Sequence, residues 1–167
     1  MADPIFEAVK DSDSEGVIAL IKSCFDEYEG VLIDLDDLDK DLLTYAADTK
    51  ANGGEAYVVR DGDEIIGTIA MGPVTEPVKK TVKEGVFELK RLYLKSGNRG
   101  SGLAPALVRH IESRARACGG HTMELWTDTR FERAHSFYAR EGYEKKPEER
   151  PLHDISNSIE YLFSKKL

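Results

Sequence analysis

A chain of 167 residues is the size of one domain and can bury a core without disulfides or a structural metal. Hydrophobic residues make up 41% and charged residues 32% of it, a globular composition that sets aside the disordered and membrane-spanning classes. The formal net charge of -8 argues against a general nucleic-acid or anionic-membrane surface, because such binding relies on many Lys and Arg contacts to phosphate.

Taken in chain order, "IFEAV" predicts a strand, and "DSDSEGVIALIKSCFDEY" an amphipathic helix with Val17, Leu20, Ile21, Cys24, Phe25 and Tyr28 on one face. From Asp36 to Lys50, Leu38, Leu42, Leu43, Tyr45 and Ala46 keep helical spacing, and "NGG" ends that second helix. Two β-rich runs around Asp61-Gly62-Asp63 predict a hairpin, and after the polar connection "EPVKKTVKEG" the run "VFELKRLYL" predicts a third strand. Leu103, Leu107, Val108, Ile111, Ala115 and Cys118 mark a helix that stops at Gly119-Gly120.

"HTMELWT" then reads as a strand and "TRFERAHSFYAREG" as a helix, with a capping box from Thr129 to Glu132. "YEKK" and "SIEYLF" read as two short final strands. No repeat or linker interrupts this order, so one mixed α/β domain is expected over residues 1–167. The two cysteines, Cys24 and Cys118, have no metal or disulfide spacing, and no metal site is expected. Cys118 reads as a buried structural thiol, His110 and His135 as surface residues, and His121 as the start of a strand. The N-terminus "MADPIFEAVK" has no basic segment followed by an apolar run, so the expected location is cytoplasmic.

The stretch "KSGNRGSGLAPALV" places three glycines, Gly97, Gly100 and Gly102, just ahead of the helix. A dinucleotide turn fails because Pro105 stands where the third small residue belongs, and a Walker loop fails because no Lys-Ser/Thr pair follows Gly102. What remains is Arg99-x-x-Gly102-x-Ala104 on a strand-turn-helix junction, where free N–H groups favour an anion.

This pattern resembles the Q/R-x-x-G-x-G/A pyrophosphate loop of the GNAT superfamily of acetyl-CoA-dependent N-acetyltransferases. The resemblance extends upstream to "ELKRLYL" and downstream to "RAHSFYAREGYEK", which is similar to the family's A-x-x-F-Y-x-x-x-G-F/Y segment, so that it covers residues 84–146. It implies a GNAT-like, mostly antiparallel twisted sheet with splayed strands and about four flanking helices. It also implies acetyl-CoA as co-substrate, with Leu92, Tyr93 and Leu94 along its arm and Arg99, Gly100, Ser101, Gly102, Leu103, Ala104 and Pro105 around its phosphates. Two positions depart from the pattern: Phe131 where the family often has Asn, and Pro105, which has no N–H to donate.

The activity the resemblance implies is direct acetyl transfer to a primary amine. Tyr138 would donate to the leaving thiolate and Glu88 would act as base, while Glu88 paired with Lys90 or Arg91 and Glu84 as base both stay open. His153 and Asp154 either join the acceptor pocket or anchor a loop. The acceptor is a small-molecule or peptide amine, and the acidic segment "FDEYEGVLIDLDDLDKD" lies where relatives build one acceptor wall, which would suit a cationic amine or polyamine, with a solvated helix face as the favoured alternative. Family members often form homodimers. The alternatives are an acyl-CoA-binding regulatory module with weak or no catalysis, and a nucleotide-binding α/β protein.

Overall fold

Alternation of side chains along the β-rich runs gives the sheet two apolar faces, and the helices divide between them. The computed structural model describes residues 3–167. The strands are β1 (Glu7–Ala8), β2 (Glu55–Asp61), β3 (Glu64–Thr75), β4 (Val82–Leu94), β5 (Thr122–Asp128), β6 (Glu144–Pro151) and β7 (Ile159–Lys166). They form one sheet in the order β1-β2-β3-β4-β5-β7-β6, antiparallel except where β4 runs beside β5. The helices are α1 (Ser14–Phe25), α2 (Tyr45–Ala51), α3 (Leu103–Ala117) and α4 (Glu132–Arg140). The mixed α/β class and mostly antiparallel sheet are therefore as expected.

Neighbouring residues on a strand point to opposite faces. Val58 and Ala70 accordingly pack with Val17, Ile21, Leu42 and Tyr45 on one side of the sheet, whereas Val59 and Ile69 pack with Leu107, Ile111 and Tyr138 on the other. Gly62 and Asp63 make the predicted two-residue hairpin turn, Gly62 at φ 59.

Several expectations need correction. Strand "IFEAV" shrinks to Glu7–Ala8, extended by the Val9 N–H bonded to the Ala56 carbonyl at 3.0 Å. The helix expected over 36–50 is a 3-10 turn at Lys40–Thr44 followed by α2. Its first turns are lost because aspartates compete for the backbone: Asp39 Oδ2 accepts from the Asp34 N–H at 2.8 Å, and Asp34 Oδ1 accepts from the Asp36 and Asp37 N–H groups. β4 begins at Val82 rather than Val86, and the last two strands run eight residues each because they pair with one another.

The Thr129 capping box does not form. The ladder from β7 takes the Thr129 N–H to the Ile159 carbonyl at 2.9 Å, and Asp128 caps the turn, its Oδ1 accepting from the Arg130 N–H and its carbonyl from the Phe131 N–H. Cys118 is exposed, beyond the last turn of α3. His110 and His135 are half-buried: His110 lies between the Phe6 and Tyr57 rings at 4.8 and 4.4 Å, and His135 against Tyr161 and Phe163. Among the described residues no helix is long and apolar enough to cross a membrane.

One buried ionic node fixes α3 on the sheet. Glu112, 3% exposed, accepts from the Tyr143 hydroxyl at 2.9 Å and from Lys165 Nζ at 2.8 Å, which joins α3 to β7 and to the turn after α4. Removing one member of a buried pair leaves the other charge without its partner. Glu112→Ala is expected to lower stability by about 3 kcal/mol, the low end for such a change because Lys165 keeps some contact with water. Urea unfolding of the two proteins checks this, and a loss near zero would show that the node carries little.

Candidate active site

β4 and β5 hold together over only three register pairs, Val86–Thr122, Phe87–Met123 and Glu88–Glu124. Beyond them β4 continues to Leu94 and β5 to Asp128 without pairing to each other, so the sheet opens between the two strands. A bulge on β4 accompanies the opening: Lys90 faces Ala70 and Tyr93 faces Thr68, which leaves Arg91 and Leu92 together opposite one residue of β3. Arg91 sits there at φ 55, a left-handed conformation that costs a non-glycine residue roughly 1 kcal/mol or more.

Ionic contacts hold Arg91 in that conformation. Its guanidinium donates to Asp39 at 2.6 Å and to Asp41 at 2.8 Å, which draws the α1–α2 connection across the opened strand. Burial acts to lower its pKa, but Asp41, Tyr93 and Asp39 outweigh burial and hold it above the usual arginine value.

A cavity of about 560 Å³ fills the opening. Its lining combines neutral and aromatic side chains, among them Leu92, Tyr93, Thr127, Phe131 and Tyr138, with charged ones, among them Asp39, Glu88, Arg91 and Glu160. Tyr138 on α4 is only 7% exposed, and its hydroxyl has no hydrogen-bond partner among the described residues. Burial alone raises its pKa, so it stays protonated at neutral pH. Glu88 lines the same cavity, and its cationic neighbour is Lys90 at 3.8 Å rather than Arg91. Phe131, in place of the family's Asn, stacks beside Tyr28 at 4.7 Å and faces Phe25, adding an apolar wall.

The structure thus brings Glu88, Leu92, Tyr93 and Tyr138 together, while Leu94, Arg99 and the turn Gly100 to Pro105 lie outside the cavity lining. Arg99 is held by Glu27 at 2.7 and 2.5 Å and reaches the Leu94 carbonyl at 3.4 Å. That hydrogen-bonded pairing keeps the Glu27 carboxyl below its ordinary pKa. Gly100 and Gly102, at φ 76 and 85, leave the turn open on the side where a Cβ would stand. Among the described residues the N–H groups of Gly100, Ser101, Gly102, Leu103 and Ala104 meet no acceptor, and the Ser101 hydroxyl braces the turn against the Asn98 carbonyl at 2.7 Å. Such a row of free donors at a helix N-terminus fits a pyrophosphate.

Asp154 binds the Ser158 N–H and hydroxyl at 2.6 and 2.8 Å, which makes it a loop anchor that also faces the cavity, whereas His153 is not part of the lining. The Ser156 hydroxyl closes the roof between two loops, accepting from the Leu32 N–H at 2.8 Å and donating to the Leu32 carbonyl at 3.2 Å. Sequence reasoning missed the roles of Arg91, Trp126, Arg150 and Glu160. Arg150 lies 4.3 Å over the Trp126 ring and donates to Glu160 at 2.6 Å, an arrangement that only strand register brings together.

The acetyltransferase (GNAT) family matches residues 17–143 of this sequence, most of the chain and both of the strands that part, β4 and β5. The chain belongs to the GNAT acetyltransferase family. Among curated relatives, this GNAT chain is 33% identical to N-acetyltransferase 8F1 of Rattus norvegicus over 92 residues, which are 55% of the chain and 40% of that relative. It therefore spans well under half the length of that protein. A GNAT acetyltransferase from Staphylococcus aureus Mu50 has the same fold, with a TM-score of 0.81 at 19% identity and 99% of both chains covered. A putative acetyltransferase from Salmonella typhimurium, solved with its cofactor acetyl-CoA, has a TM-score of 0.73 at 13% identity, covering 98% of this chain and 93% of that one.

Two measurements check the electrostatics of this GNAT site. Arg91→Ala is expected to cost about 3 kcal/mol by stranding buried Asp39, and Arg91→Gly about 1 kcal/mol less, because glycine is at ease where φ is positive. Equal losses in denaturant unfolding would show that the backbone conformation contributes nothing. Because Glu27 has a depressed pKa in the folded state, its contribution is present above the unfolded value of ~4.3 and is lost as pH falls through the folded value. Glu27→Gln should therefore show a shallower fall of Tm on acidification than the wild type.

Proposed function

We propose that this chain transfers acetyl from acetyl-CoA to a primary amine by direct attack in a ternary complex. The observation that carries the reading is the opening between β4 and β5, whose lining includes Tyr138, a residue 7% exposed with no hydrogen bond to its hydroxyl among the described residues. The free N–H groups at Gly100 to Ala104 would hold the pyrophosphate, and the side of β4 at Leu92 to Leu94 that β5 leaves unpaired would run beside the arm.

Attack requires a neutral amine, whereas an alkylammonium has a pKa of ~10.4. One proton must leave the ammonium, and Glu88, which faces the cavity beside Lys90, is the proposed acceptor, directly or through water. The N–C bond then forms at the thioester carbon, and a main-chain N–H of β4 would stabilise the oxyanion. Collapse breaks the C–S bond, with the electron pair leaving on sulfur. Tyr138, kept protonated by burial, would donate its hydroxyl hydrogen bond to that thiolate, and the proton that the acylated nitrogen sheds as it becomes an amide is the one the thiolate takes up to give CoA–SH.

Tyr138→Phe removes this donor while conserving ring volume. It is expected to lower kcat roughly 100-fold with little change in acetyl-CoA affinity, as read by thiol release and by calorimetry. An unchanged kcat at saturating substrates would refute the donor role.

A further inference from the structure

Glu27 follows the C-cap of α1 and meets two elements that lie far from it in sequence. Its carboxylate takes both arms of the Arg99 guanidinium, Nη1 at 2.7 Å and Nη2 at 2.5 Å, and Nη2 of Arg133, in the first turn of α4, at 3.4 Å. Arg99 Nη2 also reaches back to the Leu94 carbonyl, at the end of β4, at 3.4 Å. A bidentate pair of this kind fixes orientation as well as distance, which a point charge cannot do.

The carboxylate is itself held in place. The Glu27 N–H donates to the Cys24 carbonyl at 3.3 Å and the Tyr28 N–H to the Phe25 carbonyl at 2.9 Å, while the Tyr28 ring lies 4.7 Å from that of Phe131, the N-cap of α4. Glu27 is not part of the cavity lining, and no step of acetyl transfer uses it.

The glycine turn has few other anchors. From Ser96 to Gly102 its hydrogen bonds are short-range ones: the Asn98 N–H to the Lys95 carbonyl at 2.9 Å, the Arg99 N–H to the Ser96 carbonyl at 3.2 Å and the Ser101 hydroxyl to the Asn98 carbonyl. Among the described residues, the Arg99 guanidinium is its polar tie to an element other than β4 and α3, which the turn joins. Gly100 and Gly102 leave the turn a freedom that its donors must lose when they meet a phosphate, and ordering it beforehand lowers that cost. A carboxylate set on two arginines would instead compete with phosphate if those arginines were the phosphate ligands. The contacts favour an anchor, because one arm of Arg99 already bonds the Leu94 carbonyl and the free N–H groups lie beyond it, at Gly100 to Ala104.

We propose that Glu27 is a positioning residue for acetyl-CoA, which acts through Arg99 to hold the glycine turn in the conformation that presents its free N–H groups to the pyrophosphate. The inference rests on the acetyl-transfer reading given above.

Calorimetric titration of the full chain with CoA tests it without an acceptor amine. Glu27→Gln keeps the shape and removes the charge, and should weaken CoA binding roughly fivefold, the upper range for a partly exposed pair. Arg99→Lys keeps the charge but loses the fork, and should weaken binding by a similar factor. The double variant should bind no more weakly than either single one, since both changes undo one contact. In a thiol-release assay with the amine that gives the wild type its highest rate, Glu27→Gln should raise KM for acetyl-CoA and leave kcat within about twofold, a split that general loosening of the fold would not give. Unchanged or tighter CoA binding by Glu27→Gln, additive losses in the double variant, or a fall in kcat with KM unchanged overturns the inference. A wild type that binds no CoA overturns the acetyl-transfer reading itself, whereas wild-type binding with indifferent variants overturns the role of Glu27 alone.

Discussion

The contact of Arg91 with Asp39 and Asp41 sets the geometry on which the rest of the site depends. A sheet of paired strands has no interior space, because each backbone group seeks a partner on the next strand. Here a bulge on β4 turns the strand away from β5, and the residue at the bulge takes a conformation that its side chain disfavours. Two carboxylates from the α1–α2 connection keep it there. The same contact closes one wall of the cavity, so the opening of the sheet and the covering of the opening are one event.

The cavity lining mixes two kinds of chemistry. Phe131 and Tyr138 are aromatic, and burial keeps the Tyr138 hydroxyl protonated. Glu160 is a carboxylate whose pKa is raised by burial and by the like charges of Glu88 and Asp128, against the pull of Arg150. Glu112, the buried carboxylate of α3, holds that helix to β7 and to Tyr143.

Much of this was legible in the sequence where local chemistry decides. The Asp61-Gly62-Asp63 hairpin, the α3 stripe ending at Gly119 and the glycine turn after β4 follow from turn residues and apolar spacing. Tyr138 and Glu88 were found through a motif and a strand position, and both face the cavity. What failed depends on distant partners. The Asp34 and Asp39 loop looked helical because its leucines keep the spacing, yet its aspartates take the backbone donors. Thr129 looked like a cap, but β7 claims its N–H from thirty residues away in sequence. No local pattern marks Arg91 as left-handed or brings Arg150 over Trp126, since both follow from register.

The roof over the cavity rests on one serine. The Ser156 hydroxyl takes both backbone groups of Leu32, and these two hydrogen bonds, worth net about 1 kcal/mol each, join the loop after α1 to the loop between β6 and β7. A joint of that size can separate while the strands beneath stay paired, as local openings do in regions held by few bonds. The loop after α1 and the loop between β6 and β7 can therefore part at this one joint while the glycine turn after β4, on another edge of the opened strand, keeps its own bracing from Ser101.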